Sequence, residues 1–125
     1  LENGETLLID MDTISHGHPV FELANVYITY VGFGEVDPSN VESFLGIPYE
    51  TATKVWDIFI KEYLGTDDSN RIAEVEKKVK ALSEARLIHH IARRLSVEEA
   101  ANSADVKKVA ESLTNALADI DTFEF

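Results

Sequence analysis

The fold is decided by residues 7–24, which read LLIDMDTISHGHPVFELA. The segment starts as a short apolar run that favours a β-strand and ends in two carboxylates, Asp10 and Asp12. A loop containing Gly17 and Pro19 follows, because both residue types oppose regular structure. Since Pro19 suits the first turn of a helix, the segment predicts a strand, a loop and a helix in succession.

The helix predicted after this loop, over residues 20–33, is apolar on nearly every side, and Glu22 is its one acid. A helix of this composition is normally buried at the centre of a domain. The glycines and the proline within residues 32–38 are expected to end it, with Gly32-Phe33-Gly34 as its C-terminal cap. A carboxylate on a buried helix must find hydrogen-bond donors or lose its charge.

Amphipathic patterns predict helices over most of the remaining chain. Ser39 and Glu42 match a capping box for a short helix that Gly46 ends. A further helix is predicted over residues 49–64, closed by Gly65. Its proposed core stripe consists of Ala52, Val55, Trp56, Phe59 and Tyr63.

The longest helical pattern follows the polar turn at residues 66–69 and extends to Leu95. Two acid–lysine pairs at i,i+4 spacing support it. Ser96 and Glu99 form a second capping box before a last amphipathic segment, which Asn102-Ser103 either divides or leaves whole. The two pairs are Glu74 with Lys78 and Glu76 with Lys80.

Near the start of the chain, Asn3-Gly4 is a strong signal for a β-hairpin turn, which needs positive φ at both central positions. Residues 5–10 then form the second strand, while only two residues precede the turn. The chain is therefore predicted to be mainly α, a single helical domain over residues 1–125 with a short N-terminal β-strand left from a hairpin. It is expected to begin within a larger structural unit.

Composition limits the classes of protein to which the chain can belong. Its 125 residues are the size of one domain, and 45% hydrophobic with 27% charged residues is typical of a folded globular protein. No apolar run approaches the roughly 20 residues of a membrane-spanning helix, so a cytoplasmic protein without a membrane partner is expected. The net charge of −12 repels nucleic acid and would attract a cationic small molecule, while an acidic charge also serves solubility alone. Without cysteine, disulfides and thiolate zinc sites are excluded.

The two carboxylates that end the predicted strand are candidate metal ligands. Asp10 follows the strand directly, and Asp12 points to the same side if the backbone stays extended. Two hard oxygen ligands of this kind can share Mg²⁺ with the phosphates of a nucleotide. Taken without further context, both residues also fit a plain strand-terminating turn.

The segment Ile9-Asp10-Met11-Asp12, followed by residues 17–24, resembles the pattern I-D-x-[DE]…G-x-P-x-x-D-L-A of the aminoglycoside phosphotransferase and choline kinase-like family. That family has the fold of the protein kinases, and the resemblance covers the first quarter of the chain. It implies Mg²⁺ and ATP as cofactors, with Asp10 on the metal that bridges the ATP phosphates and Asp12 in support. Glu22 matches an aspartate that braces the catalytic loop, although its carboxylate is one methylene further out.

The family's catalytic loop, of the form H-G-D-x-x-x-x-N, does not occur in these 125 residues. The resemblance therefore implies the helical C-terminal subdomain of a kinase-like lobe, a fragment that lacks the N-terminal lobe and the catalytic loop and is inactive alone. In the intact parent, the acidic helices would contribute to the cleft for a small-molecule acceptor.

Two other classes of protein fit the same residues. One is a non-catalytic helical interaction or regulatory module, in which residues 20–33 are only a core helix. The other is a metal-dependent hydrolase whose ligands would be Asp10, Asp12, His16 and His18.

The basic sequence at residues 89–94, His-His-Ile-Ala-Arg-Arg, also has two interpretations. It could bind an anionic group from one helix. The commoner arrangement is a partly buried histidine beside a solvated basic edge.

The orphan strand predicts self-association. Thr6, Leu8 and Asp10 would lack backbone partners, and unpaired buried backbone groups are costly, so this edge should fray or pair with another chain. Sedimentation that shows a strict monomer, together with solvent-protected amides at Thr6 and Leu8, would contradict this expectation.

Overall fold

The computed structural model describes residue 4 and residues 16–124, and this part of the chain is mainly helical. The predicted strand at residues 5–10 lies outside the described residues. Gly4 has a φ of +78°, as the predicted turn requires. No helix in the described ranges is long and apolar enough to cross a bilayer. The elements are α1 (Pro19–Tyr27), a π-helical segment (Ile28–Gly32), α2 (Phe33–Val36), α3 (Pro38–Leu45), α4 (Tyr49–Leu64), α5 (Ser69–Ala92), α6 (Val97–Asn102) and α7 (Ala104–Ala118).

The first three elements run without interruption from residue 19 to residue 36 and form one central helix. It begins as predicted, with Pro19 in the first turn, and the ring Nδ1 of His18 accepts a hydrogen bond of 3.3 Å from the Val20 N–H. It ends at Asp37, whose backbone is extended. The prediction that Gly32-Phe33-Gly34 caps the helix was wrong, because Gly32 has helical dihedrals and the helix continues for four more residues.

Thr29 lies near the start of the π-helical segment. Its hydroxyl donates to the Asn25 carbonyl at 3.0 Å and competes with the backbone for that acceptor. The Phe33 N–H in turn donates to the Ile28 carbonyl, five residues earlier. A π-helical turn holds one extra residue and so shifts the faces that α2 presents to its neighbours.

One face of the central helix forms the core with α4 and α5, and α7 packs on α5. The Tyr27 and Trp56 rings meet edge to face, with centroids 5.1 Å apart. The Ser83 hydroxyl of α5 donates a hydrogen bond of 3.1 Å to the Ala24 carbonyl of α1, so these two helices share a polar contact in addition to their apolar ones. The core side chains are Val20, Leu23, Tyr27, Val31, Trp56, Ile60, Ile72, Val75 and Val79.

The cap at the start of α3 differs from the predicted one. The N-cap of α3 is Asp37, which accepts from the Ser39 N–H at 2.9 Å, so the capping box predicted at Ser39 and Glu42 does not form. Gly46 ends α3 in the left-handed conformation, as predicted.

Helix α4 has the predicted bounds, Tyr49–Leu64, and Gly65 closes it with a φ of +62°. Its buried stripe is rotated from the predicted one, because Ile60 is buried whereas Val55 and Tyr63 are exposed. The central helix covers one side of α4 only, so residues at the edge of the apolar stripe remain in solvent.

Of the two ion pairs predicted within α5, one forms and the other does not. Lys78 does bind Glu74, at 3.0 Å. The pair of Glu76 with Lys80 is wrong, because both residues have partners on other helices: Trp56 Nε1 donates to Glu76 at 2.7 Å, and Lys80 binds Glu35.

The last amphipathic segment is divided into two helices, and each begins at a serine N-cap. Ser96 and Glu99 form the reciprocal capping box that their spacing predicts. Ser103, in an extended conformation, separates α6 from α7 and caps α7 through the Val106 N–H.

Alanine substitutions at two glycines of the central helix should change the stability of the fold in opposite directions. A Cβ at Gly34 would lie 2.2 Å from the Tyr49 ring, so Gly34→Ala should destabilise the fold by about 1–3 kcal/mol. A Cβ at Gly32 meets nothing nearer than 3.8 Å, so Gly32→Ala should stabilise it by up to about 1 kcal/mol. Urea unfolding of both variants tests the pair, and equal effects would contradict the close packing of Tyr49.

Candidate functional site

Of the predicted metal site, the structure describes only the C-terminal part. Asp10 and Asp12 lie outside the described residues. His16 is exposed, and His18 caps α1 through its Nδ1 atom. Among residues 16–124 no group of three or more histidine, aspartate and glutamate side chains is placed to hold a metal ion. The predicted magnesium ligands and the hydrolase alternative both stay predictions.

Glu22 does not lie in the interior, as the all-apolar helix had led us to expect. Its side chain is exposed in the first turn of α1, beside the exposed Phe21, whereas Leu23 and Ala24 are buried. The reason is geometric: α5 covers one side of α1, and the opposite side at this turn is open. Its role as a brace for a catalytic loop stays a prediction.

The structure brings together a group of polar side chains that the sequence did not single out. We call this group, Glu35, Lys80, Glu84, Lys108 and Ser112, the polar cluster. Its members come from three helices: Glu35 from α2, the next two from α5, and the last two from α7. Within α5 and within α7 the two members are four residues apart, so each pair lies on one face of its helix.

Lys80 lies at the centre of the polar cluster. Its Nζ atom is 2.7 Å from Glu35 Oε1 and 3.9 Å from Glu84 Oε1. Glu35 also accepts a hydrogen bond of 3.2 Å from the Tyr27 hydroxyl, and its backbone carbonyl accepts one of 2.8 Å from Lys108. Helices α2, α5 and α7 are therefore joined by charged hydrogen bonds, which are among the stronger kind.

Glu84 is the one member whose charge is poorly compensated. Its side chain is 5% exposed, and while Ser112 donates to Oε1, Oε2 has no hydrogen-bond partner in the described part of the chain. Burial raises the pKa of the Glu84 carboxyl, and the opposing effects of Ser112 and Lys80 do not cancel this. Burial, followed by the charge of Glu35, likewise raises the pKa of the Tyr27 hydroxyl.

The polar cluster lines a cavity of about 330 Å³ between α2, α5 and α7. This volume lies at the lower end of the range for small-ligand pockets. The cluster holds two carboxylates and two ammonium groups, so its formal charges balance. Ser112 donates its proton to a carboxylate rather than to a histidine base, so the arrangement is not that of an activated nucleophile. The contacts of the polar cluster join α5 and α7 to α2, which is the C-terminal end of the central helix.

Comparison with family models, with curated proteins and with solved structures finds no match for this chain. The class that the fold defines is a mainly helical domain built around one buried helix. Any statement of function must therefore come from the residues and their arrangement.

The poorly compensated charge of Glu84 predicts an effect of pH on stability. Because its pKa is raised in the folded state, the contribution of Glu84 to stability should be complete below the unfolded-state value near 4.5 and should be lost as pH rises above it. Glu84→Gln removes this titration and keeps an acceptor for Ser112. The variant should be more stable than wild type at pH 7, by about 1 kcal/mol, and the difference should shrink at pH 4.

Chemical unfolding at several pH values measures this effect. Glu111→Gln, an exposed change on α7, is the matched control and should leave the pH dependence as it is in wild type. Parallel stability curves for wild type and Glu84→Gln would contradict the prediction.

Proposed function

We propose that this chain is the C-terminal part of an ATP-dependent small-molecule phosphotransferase similar to the aminoglycoside phosphotransferases and choline kinases. The observation that carries the proposal is the ordered motif of residues 9–12 and 17–24, in which a metal-type carboxylate pair precedes a Gly-x-Pro loop and a Glu-Leu-Ala helix start. A helical kinase-like lobe belongs to this proposal and fits the mainly helical chain.

The local structure after the loop supports the motif interpretation. Pro19 begins a helix whose Leu23 and Ala24 are buried, and Ala24 is held to α5 through Ser83. The motif's Leu-Ala pair thus anchors the loop to the core. In this proposal, the carboxylates of Asp10 and Asp12, upstream of this anchor, hold the metal.

The exposed position of Glu22 is compatible with a bracing role. A carboxylate in the first turn of a helix is favoured by the helix dipole and is free to accept hydrogen bonds from a neighbouring backbone. In this proposal, the catalytic loop of the parent supplies those donors. The Glu22 side chain is one methylene longer than the aspartate of the family motif, so in this proposal it braces the loop over a slightly longer distance.

The chemistry divides between this chain and the rest of the parent. Asp10, with Asp12 in support, offers the hard carboxylate oxygens that suit Mg²⁺. When bound, the Mg²⁺–ATP complex supplies the phosphoryl group and the metal charge that offsets the negative charge developing during transfer. The base that accepts the proton of the acceptor hydroxyl belongs to the H-G-D-x-x-x-x-N loop, so this chain alone is inactive. The net charge of −12 favours a cationic acceptor.

The complete reading frame tests the proposal. It should encode an H-G-D-x-x-x-x-N pattern within a few tens of residues upstream of Leu1, and its product should transfer phosphate from Mg²⁺–ATP to a small alcohol. Asp10→Asn in that product should lower the transfer rate by about 10²-fold or more, because a metal contact to the phosphates is lost.

Asp67→Asn, a change in the exposed turn before α5, is the matched control and should leave the rate unchanged. A reading frame without the loop pattern, or an Asp10→Asn product as active as this control, would refute the proposal.

The alternative is a non-catalytic helical interaction module, and exposed apolar side chains favour it. Phe44 on α3 is 72% exposed and Ile58 on α4 is 64% exposed. Such side chains mark a contact with another protein where they form a contiguous apolar patch. Full retention of stability when Asp10 and Glu22 are both changed to Ala, with no loop pattern in the reading frame, would support this alternative.

A further inference from the structure

The C-terminal end of α5 is basic in an otherwise acidic chain. Three of the four arginines and two of the four histidines of the protein fall within residues 86–94. We call these residues the basic end. They are Arg86, His89, His90, Arg93 and Arg94.

No carboxylate neutralises the basic end within the described part of the chain. The ion pairs of residues 16–124 involve Lys54, Arg71, Lys78 and Lys80, and none involves the basic end. Burial, followed by the charges of Arg93, Arg86 and His89, lowers the pKa of His90, as expected where cations face one another. Three of the four arginines of a protein with a net charge of −12 thus lie close together in sequence and form no ion pair within residues 16–124.

The dipole of α5 explains part of this arrangement. Cations are stabilising at the C-terminal end of a helix, and His89 and His90 lie in the last turn of α5. The dipole does not explain why the same residues border an apolar groove. That groove is the second observation.

The groove lies between α2, α3 and α5 and has a volume of about 520 Å³. This volume is within the range of small-molecule sites. Its apolar walls include Phe33, Phe44 and Leu87, and His90 and Arg93 lie at its basic side. Asp105 also lines it and forms no ion pair with Arg93.

The side chains of the groove define the chemistry of its ligand. The Phe33 and His90 rings meet edge to face, with centroids 6.1 Å apart, so the polar edge formed by His90 and Arg93 is continuous with the apolar wall. The guanidinium of Arg93 is suited to a phosphate, which it can bind through two parallel hydrogen bonds. Arg93 supplies the positive charge of the groove, and an N–H of the His90 ring can donate a further hydrogen bond to the phosphate.

We propose that the groove binds a small organic phosphate monoester, with the phosphate on Arg93 and His90 and the apolar body against Phe33, Phe44 and Leu87. This site is separate from the metal motif, and the inference does not depend on the proposed phosphotransferase activity. Binding combines two contributions, charge and apolar contact, so a ligand that lacks either one should bind more weakly.

Calorimetric titration of the chain with three probes tests the two contributions. 1-Naphthyl phosphate should bind at least about 10-fold more tightly than inorganic phosphate, which has no apolar body, and than 1-naphthol, which has no charge. Equal binding of 1-naphthol would overturn the proposal. Binding to phosphatidic acid vesicles without binding to 1-naphthyl phosphate would also overturn it, and would assign the groove to a lipid surface.

Two variants with matched controls locate the site. Arg93→Gln should weaken binding of 1-naphthyl phosphate by roughly 10-fold, the size expected for one charge-assisted hydrogen bond, while Arg71→Gln on the same helix should not. Phe44→Ala should weaken it several-fold, while the exposed Ile58→Ala should not. All four side chains are at least partly exposed, so the variants should fold, as circular dichroism can verify. Indistinguishable affinities for Arg93→Gln and Arg71→Gln would refute the assignment.

Discussion

The fold depends on the burial of one face of the central helix between α4 and α5. Val20, Leu23 and Tyr27 leave water along this face, and burying each aliphatic side chain of this size contributes roughly 1.5–3 kcal/mol. The Ser83 hydroxyl donates to the Ala24 carbonyl, so α5 also binds the backbone of the central helix. Because Gly17 and His18 lead directly into this helix, the burial also anchors residues 17–24 of the motif.

The π-helical segment connects the core to the polar cluster. One extra residue in this turn changes the direction in which α2 presents its side chains. Glu35 then lies within reach of Lys80 from α5 and Lys108 from α7, while Gly34 makes room for the Tyr49 ring. The polar cluster thus joins the C-terminal end of the central helix to α5 and α7.

Charge is distributed unevenly over this chain. In the polar cluster, carboxylates and ammonium groups balance, yet Glu84 is buried so deeply that its charge is disfavoured. At the basic end, arginines lie together and form no ion pair in the described ranges, although Asp105 lines the same groove as Arg93. The first arrangement holds the fold together. The second leaves a positive potential next to an apolar wall, which is a property of binding surfaces rather than of cores.

The sequence by itself determined the helices whose signals are local: the bounds of α4, the glycine ends of α3 and α4, and the Ser96–Glu99 box. The roles of Asp10, Asp12 and Glu22 rest on the resemblance of their motif to one family and stay predictions. Only the tertiary structure decided that the central helix continues through two glycines, that Glu76 and Lys80 bind other helices, and that Glu84 is buried. Turn and cap signals act over about four residues, whereas these partners lie tens of residues apart, so no local pattern could specify them.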